Sequence, residues 1–144
     1  MKTALLVIDV QAYNIQRAPK DLPGKIASHI QASNYDFAGF TVFRNIDNSN
    51  WEKTLNWNQC KFGRDLILAN EFKGLANPSN IFEKNTYSAL KQESLLSELN
   101  SRSIEEIHLC GIDTDACVLA TAYDAFDQNY RNKYFSSYVL VVDI

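Results

Sequence analysis

Three side chains of different chemistry come at or just after the ends of three predicted strands. Asp9 ends the first apolar segment, Lys84 ends a later one, and Cys117 follows a third where a helix is predicted to begin. In open parallel sheets, ligands bind at the carboxyl ends of the strands, so these side chains are expected at one edge. A carboxylate, an ammonium and a thiol together form the pattern of an activated nucleophile.

The expected roles follow from the surroundings of each group. Cys117 lies in the first turn of its helix, where unpaired backbone N–H groups and the nearby Lys84 favour a thiolate. Asp9 is flanked by apolar residues, so partial desolvation should raise its pKa and make it a usable base. The backbone N–H groups of Ile112–Cys117 offer an oxyanion hole.

Each of these residues also has an ordinary structural explanation. A buried cysteine usually behaves as a small apolar side chain. An aspartate at a strand end usually caps a turn, and a lysine there usually extends into solvent. Composition and spacing alone therefore leave a site and a purely structural role both open.

Strand and helix signals alternate along the chain, which predicts an α/β fold. The predicted strands are Ala4–Val10, Phe40–Arg44, Ile81–Lys84, Ile107–Gly111 and Tyr138–Val142. One helix is predicted to begin after Asp21, with Leu22, Ile26 and Ile30 on one face. Two more are predicted at Ser88–Leu99 and Ala116–Asp127, and a short one within Arg64–Phe72. The helix at 116–127 is expected to bury Val118, Ala122, Ala125 and Phe126. The expected architecture is three-layer αβα, with an open, mainly parallel, Rossmann-like sheet.

Composition excludes several classes of partner. The chain has 144 residues, of which 46% are apolar, and this size suits a single domain covering residues 1–144. A net charge of −3 with scattered basic residues argues against nucleic acid. Apolar runs fall well short of the roughly 20 residues that cross a bilayer. Three cysteines are a poor disulfide framework, so we expect a reducing, cytoplasmic location.

Three segments of the chain carry motifs that occur together in one family. They are Ala4–Gln11 (ALLVIDVQ), Glu83–Leu90 (EKNTYSAL) and Gly111–Ala125 (GIDTDACVLATAYDA). In their order and spacing they resemble the isochorismatase-like cysteine hydrolases, which include nicotinamidases and N-carbamoylsarcosine amidase. The third is specific, because a Gly-x-x-Thr-Asp-x-Cys-Val turn that opens a Thr-Ala helix is the nucleophile loop of this family.

The resemblance implies an Asp–Lys–Cys triad. It makes Asp9 the general base, Lys84 the cationic member and Cys117 the nucleophile. It also implies a non-proline cis peptide before Asp113, with the backbone N–H groups of Asp113 and Cys117 as the oxyanion hole. The implied reaction is hydrolysis of a small, non-peptide amide through a thioester on the cysteine.

Aromatic residues are the candidates for a substrate pocket. Tyr13 and Tyr87 lie close in sequence to the predicted base and cation. Trp51, Trp57 and Phe62, in the connection after the second strand, either wall an apolar pocket or cover the edge of the sheet. The second explanation is favoured for the group, while Trp51 is kept as a pocket candidate beside the two tyrosines.

The sequence departs from the nicotinamidase pattern in its expected metal site. Nicotinamidases hold a metal with an Asp and two His after the second strand, whereas Asn45–Asn80 contains no histidine. His29 and His108 lie outside that connection. We therefore expect no metal and no cofactor, which argues against nicotinamidase activity. True isochorismatases lack the nucleophilic cysteine, so Cys117 favours the amidase branch.

The end of the sequence bears on the assembly and on the alternatives. Family members continue with a further helix and strand after the fifth strand, so the predicted fold is shortened at its C-terminus. An apolar last strand at an open edge predicts a homo-oligomer, a dimer or larger. The alternative function is a degenerate, non-catalytic member that binds a small molecule or a protein. A flavodoxin-like or dinucleotide-binding domain is disfavoured, because no glycine-rich loop follows Asp9.

Overall fold

A six-stranded sheet forms the centre of the protein. The computed structural model describes residues 1–136 and 140–143. In spatial order the strands are β3 (Ile81–Lys84), β2 (Phe37–Phe43), β1 (Thr3–Ile8), β4 (Glu106–Gly111), β5 (Arg131–Ser136) and β6 (Leu140–Asp143). The first five are parallel, and β6 pairs antiparallel with β5. The predicted mainly parallel sheet is confirmed.

Helices pack on both faces of this sheet. They are α1 (Ala12–Ile15), α2 (Leu22–Ala32), α3 (Asn50–Lys53), α4 (Glu93–Ser101) and α5 (Leu119–Asp127). Short 3₁₀ turns cover Gly63–Leu66, Asn70–Phe72 and Ala89–Lys91, and a π-helical turn, Thr114–Val118, precedes α5. None of these helices, within the part of the chain that the structure describes, has the length and apolar character needed to cross a membrane.

The central strand β1 contributes to two separate hydrophobic cores. Leu5 and Val7 face the core that α2 covers, whereas Leu6 and Ile8 face the core that α4 and α5 cover. Alternate residues of a strand point to opposite faces, so a strand buried on both sides must be apolar throughout. This arrangement confirms the predicted three-layer αβα fold.

The prediction for the fifth strand was wrong. The strand that pairs parallel with β4 is β5, Arg131–Ser136, and not the apolar segment Tyr138–Val142. The polar sequence of β5 does not carry the apolar pattern by which strands are predicted. The strand forms nonetheless, because strand pairing uses backbone groups and needs no apolar side chain. Leu140 to Val142 belong to β6, and Tyr138 and Val139 lie outside the described residues.

Other differences concern helix boundaries and faces. Phe126, expected in the core, is 61% exposed because it lies at the margin of the buried stripe of α5. Asp21 precedes α2 as predicted, but its carboxylate pairs with Lys25 and does not cap the helix. The region 64–72 contains 3₁₀ turns, and α4 begins only at Glu93 because a 3₁₀ turn comes first.

Candidate active site

The three predicted catalytic side chains lie at the carboxyl edge of the sheet. Asp9 directly follows β1, Lys84 is the last residue of β3, and Cys117 is in the π-helical turn after β4. Lys84 Nζ is 2.8 Å from Asp9 Oδ2, and both side chains are 1% exposed. Both charges act on the pKa of the Cys117 thiol. The structure therefore brings the carboxylate, the ammonium and the thiol together.

The carboxylate of Asp9 is oriented by Thr41 on the neighbouring strand β2. The Thr41 hydroxyl donates to Asp9 Oδ1 at 2.7 Å and accepts from the Asp9 backbone N–H at 3.1 Å. Asp9 itself has a φ of 52°, in the left-handed region that few side chains adopt. Sequence reasoning missed Thr41, and the available signal was a hydroxyl inside the otherwise apolar FTVF segment.

The ammonium of Lys84 is surrounded by acceptors. Besides its ion pair with Asp9, it donates to the backbone carbonyls of Thr86 at 2.7 Å and Tyr87 at 3.1 Å. It also lies 5.1 Å from the centre of the Phe43 ring, within the range of a cation–π contact. Three oxygen atoms and an aromatic ring thus surround the buried ammonium. Lys84 is thus suited to supply charge to this site.

The backbone at the end of β4 brings the turn that contains Cys117, Thr114–Val118, against the end of β1. Gly111 has a φ of 128°, and a Cβ at this position would overlap the backbone of Ile8. The Ile112 N–H donates to the Ile8 carbonyl at 2.9 Å. The next peptide bond, between Ile112 and Asp113, is cis. Glycine is therefore required for this close approach of two strand ends.

The depth of Cys117 in the protein opposes the thiolate that its turn and the nearby Lys84 are expected to favour. Burial raises the pKa of the Cys117 thiol to about 12, and the nearby Asp9 carboxylate adds to that effect. Lys84 acts in the opposite direction but does not outweigh them. A buried thiol loses the hydration that its charged form needs, and this loss exceeds the benefit of one cation. Burial therefore favours the protonated form of the Cys117 thiol.

A second threonine connects the segment that follows Lys84 to the turn that contains Cys117. The Thr121 hydroxyl, which is completely buried, accepts from the Ala89 N–H at 3.0 Å and donates to the Cys117 carbonyl at 2.7 Å. It joins the segment that follows β3 to the turn that follows β4. Sequence reasoning missed this role, although Thr121 belongs to the Thr-Ala helix of the third motif.

The region expected to form the oxyanion hole follows the cis peptide. The Asp113 carbonyl accepts from the N–H groups of Ala116 at 3.2 Å and Val118 at 3.1 Å, which fixes one side of the turn. Asp113 and Cys117 both line the same cavity as Asp9. The two predicted N–H donors thus belong to residues beside the thiol, and their role as donors stays a prediction.

A cavity of about 500 Å³ opens above the thiol. Its wall contains the three predicted pocket residues, Tyr13, Trp51 and Tyr87. Trp57 also lines it, with its Nε1 donating to the Tyr13 hydroxyl at 3.2 Å, so edge covering was the wrong expectation for this tryptophan. Phe62 is exposed to solvent instead. A pocket with aromatic walls and a few polar groups is typical of small-molecule sites.

An arginine that the sequence analysis did not consider also lines this cavity. Arg17 Nη1 lies 3.0 Å from both carboxylate oxygens of Asp113. Both side chains are partly exposed, at 51% and 41%. No local signal identified the pair, because its members are 96 residues apart in the sequence.

The connection after β2 holds a network of polar groups. Asn45 accepts from the Ser49 hydroxyl at 2.6 Å, and Lys61 pairs with both Asp47 and Glu52. Within residues 1–136 and 140–143, no three His, Cys, Asp or Glu side chains are grouped so that they could hold a metal ion. The polar side chains of this connection therefore do not match the Asp and two His that hold the metal in nicotinamidases.

The two histidines lie at the opposite end of the sheet. The Tyr35 hydroxyl is 2.9 Å from both His29 Nε2 and His108 Nδ1. His108 Nε2 is in turn 2.6 Å from Glu106 at the start of β4. These contacts give both histidines a structural role away from the cavity.

Sequence relatives match parts of the chain. An uncharacterized isochorismatase family protein of Bacillus subtilis is 47% identical over 49 residues, which are 34% of this chain and 27% of the relative. Nicotinamidase 3 of Arabidopsis thaliana is 32% identical over 68 residues, 46% of this chain and 34% of the relative. The chain thus spans about a third or less of the length of these curated relatives.

Solved structures of the same fold match nearly all of the chain. An isochorismatase-like hydrolase from Alkaliphilus metalliredigens has a TM-score of 0.79 at 19% identity, covering 95% of this chain and 81% of the other. N-carbamoylsarcosine amidase from Thermoplasma acidophilum has a TM-score of 0.78 at 21% identity, covering 100% and 86%. Nicotinamidase from Bacillus subtilis has a TM-score of 0.72 at 24% identity, covering 98% and 87%.

At these identities the structural likeness concerns the fold, and a family model supplies the assignment. The model of the isochorismatase domain matches residues 3–136, which include the Asp9, Lys84 and Cys117 segments. The resemblance seen in the sequence is thereby confirmed: this chain belongs to the isochorismatase family.

Proposed function

We propose that this protein is a cysteine-dependent hydrolase of small, non-peptide amides, acting through a thioester on Cys117. The observation that carries the proposal is the buried ion pair of Asp9 and Lys84, whose charges act on that thiol, with Asp9 and Cys117 both lining an aromatic cavity. A buried ion pair is expensive to desolvate and adds little to stability, so its presence in a cavity favours a chemical role.

The first step is attack of the cysteine on the amide carbonyl. Asp9 takes the proton from Cys117 Sγ while the sulfur forms a bond to the carbonyl carbon. The electrons of the C=O π bond move to the oxygen, which becomes an oxyanion held by the N–H groups of Asp113 and Cys117. The raised pKa of the thiol fits this order, since the proton leaves only when the attack begins.

The second half of the reaction releases both products. The tetrahedral intermediate collapses, the C–N bond breaks, and Asp9 gives its proton to the departing nitrogen. Asp9 then takes a proton from water, which attacks the thioester; the C–S bond breaks and the proton returns to sulfur. Lys84 stabilises the negative charge that passes between Asp9 and Cys117. The products are ammonia or an amine and a carboxylic acid.

The cavity favours a substrate with a flat or apolar acyl group. Its volume of about 500 Å³ lies in the lower part of the range for ligand pockets, roughly 300–1,000 Å³. The rings of Tyr13, Trp51, Trp57 and Tyr87 form much of its wall. The charges at the cavity occur as the pairs Asp9–Lys84 and Arg17–Asp113. Neutralised in this way, the site favours uncharged or weakly charged amides.

Ammonia release from a panel of small amides tests the proposal. Benzamide, nicotinamide and N-carbamoylsarcosine are compared with the wild-type protein and with Cys117→Ala. We expect wild-type turnover of at least one amide, formation of the hydroxamate when hydroxylamine intercepts the thioester, and neither reaction in Cys117→Ala. Circular dichroism should show the variant folded.

Two results would contradict the proposal. Turnover by Cys117→Ala above a few per cent of wild type would remove the thioester from the mechanism. Binding of these amides without hydrolysis by the wild type would favour the non-catalytic, small-molecule-binding alternative.

A further inference from the structure

A chain of polar contacts outside the triad joins the end of β1 to Asp113, at the start of the turn that contains Cys117. Arg17 Nη1 lies 3.0 Å from each carboxylate oxygen of Asp113, and its Nη2 donates to Asn14 Oδ1 at 3.0 Å. Asn14 Nδ2 donates in turn to the Asp9 carbonyl at 2.9 Å. The segment after β1 thus contacts the backbone of the proposed base and the side chain beside the proposed oxyanion hole.

Arg17 restrains Asp113 in a way that the turn itself does not. The Asp113 carbonyl is held by the amides of Ala116 and Val118, on the side facing α5. The side chain is held by Arg17, which is the basic partner of Asp113 among residues 1–136 and 140–143. Together, these contacts hold Asp113 at its carbonyl group and at its side chain, and so restrain the residue whose backbone N–H is the predicted oxyanion donor.

The ion pair is poorly explained as a device for stability. Both side chains are partly exposed, and ion pairs in contact with solvent contribute little to the free energy of folding. Two donor contacts from one guanidinium nitrogen to one carboxylate do, however, restrict how that carboxylate can rotate. The pair is therefore better suited to fixing geometry.

We propose that Arg17 is a positioning residue for the oxyanion hole. Through the Asp113 carboxylate it restrains the Cα of Asp113, and with it the backbone N–H that stabilises the oxyanion. Through Asn14 it ties that group to the strand end carrying Asp9. The inference rests on the proposed function, since it concerns the oxyanion formed when Cys117 attacks.

Positioning and direct substrate binding predict different kinetics. A group that acts only on the oxyanion affects the transition state and not the bound amide, so its loss lowers kcat and leaves KM unchanged. A guanidinium that binds the substrate raises KM when removed. We expect Arg17→Ala to lower kcat about tenfold, less than the roughly 100-fold or greater loss caused by removing a whole oxyanion donor.

Chemical rescue provides a second test of the role. Guanidinium at low millimolar concentration should occupy the space left in Arg17→Ala and restore most of kcat, and ammonium at the same concentration should not, because it lacks the planar donor group. Asp113→Asn should lose activity to a similar extent without rescue.

A probe that needs no turnover separates this inference from the proposed function. Benzaldehyde reacts reversibly with a thiol: the S–C bond forms, the C=O π bond breaks, and the thiol proton passes to the oxygen. This hemithioacetal places an oxygen where the oxyanion forms. Protection of Cys117 from iodoacetamide is measured by peptide mass spectrometry, with benzyl alcohol as a ring of the same size that forms no adduct. For the same protection of Cys117, we expect Arg17→Ala to need about tenfold more benzaldehyde than wild type and the same amount of benzyl alcohol.

Arg102→Ala is the matched control. Arg102 also forms a partly exposed pair with a carboxylate, that of Glu98 on α4, but it does not line the cavity. We expect wild-type kcat and wild-type benzaldehyde protection in this variant. Its kcat measures what truncating a comparable arginine does elsewhere on the surface.

The outcomes distinguish the two proposals. Equal kcat in Arg17→Ala and Arg102→Ala, a rise in KM alone, or equal benzaldehyde protection in Arg17→Ala and wild type would each overturn the positioning role. If wild type hydrolyses no amide but the benzaldehyde difference is present, the proposed function fails and the positioning role stands.

Discussion

The ammonium of Lys84 and the carboxylate of Asp9 lie 2.8 Å apart with both side chains almost completely buried. Asp9 directly follows β1 and Lys84 ends β3, and these two strands are separated in the sheet by β2. Each buried charge depends strongly on the other, since removing one partner of a buried pair leaves an uncompensated charge. This dependence can be measured separately from activity.

Substitution of Lys84 should damage stability and activity together. Lys84→Met leaves the Asp9 carboxylate buried without its partner, which we expect to lower the free energy of unfolding by about 3–5 kcal/mol. Asp9→Asn combined with Lys84→Met removes both charges and should recover much of that loss while remaining inactive. Urea denaturation measures the stability of all three proteins. A double variant as unstable as Lys84→Met would contradict this account.

The hydroxyl of Thr41 should matter for activity through the orientation of Asp9. Thr41→Val removes the donor to Asp9 Oδ1 and the acceptor for the Asp9 N–H. We expect kcat to fall about tenfold, because a misoriented base loses part of the roughly 10²–10⁴-fold that acid–base catalysis contributes. Thr41→Ser retains the hydroxyl and should stay close to wild type. Equal losses in the two variants would assign the effect to packing.

The alkylation rate of Cys117 should rise steeply with pH and show no plateau near neutrality. Its pKa of about 12 lies above that of an ordinary thiol, so the thiolate fraction should increase about tenfold per pH unit from pH 8 to pH 11. Asp9→Asn removes a charge that raises this pKa and should speed alkylation at any given pH. Iodoacetamide labelling followed by peptide mass spectrometry measures both effects.

Cys110 is the internal control for that experiment. Burial alone raises its pKa to about 12, so its labelling should not respond to Asp9→Asn. A plateau for Cys117 below pH 9 would show that Lys84 outweighs burial, contrary to the order of effects found here.

Loss of the Thr121 hydroxyl should weaken the connection between the segment that follows Lys84 and the turn that contains Cys117. Thr121→Val leaves the buried Ala89 N–H without its acceptor, which costs about 1–3 kcal/mol. We also expect a lower kcat, because the loop that holds Lys84 is no longer tied to Cys117. Thr121→Ser keeps both hydrogen bonds and should preserve kcat. Thermal unfolding and steady-state kinetics together test the pair of variants.

The sequence was sufficient for the fold and for the grouping of the three polar residues. Parallel strands end at one edge, so Asp9 and Lys84 were expected near each other once their strands were identified. The structure places them in contact. The fifth strand was missed because Arg131–Ser136 is polar, and apolar patterning is the main signal by which strands are found.

The residues that support the triad had no comparable signal. Thr41 contacts Asp9 across 32 residues, and Arg17 contacts Asp113 across 96, so neither pairing follows from local spacing. The direction of the Cys117 pKa shift could not be predicted from the sequence either. It depends on how burial compares with two opposite charges, and a sequence gives the charges without the depth of burial.

Gly111 has a consequence for how substitutions in this protein should be interpreted. Gly111 takes no part in the proposed reaction, yet we expect it to tolerate replacement as poorly as Cys117. Any side chain at this position would overlap the backbone of Ile8. Activity alone would score both positions as intolerant. Cellular abundance would separate them: replacements at Gly111 should deplete the folded protein, whereas replacements at Cys117 should leave it plentiful and inert.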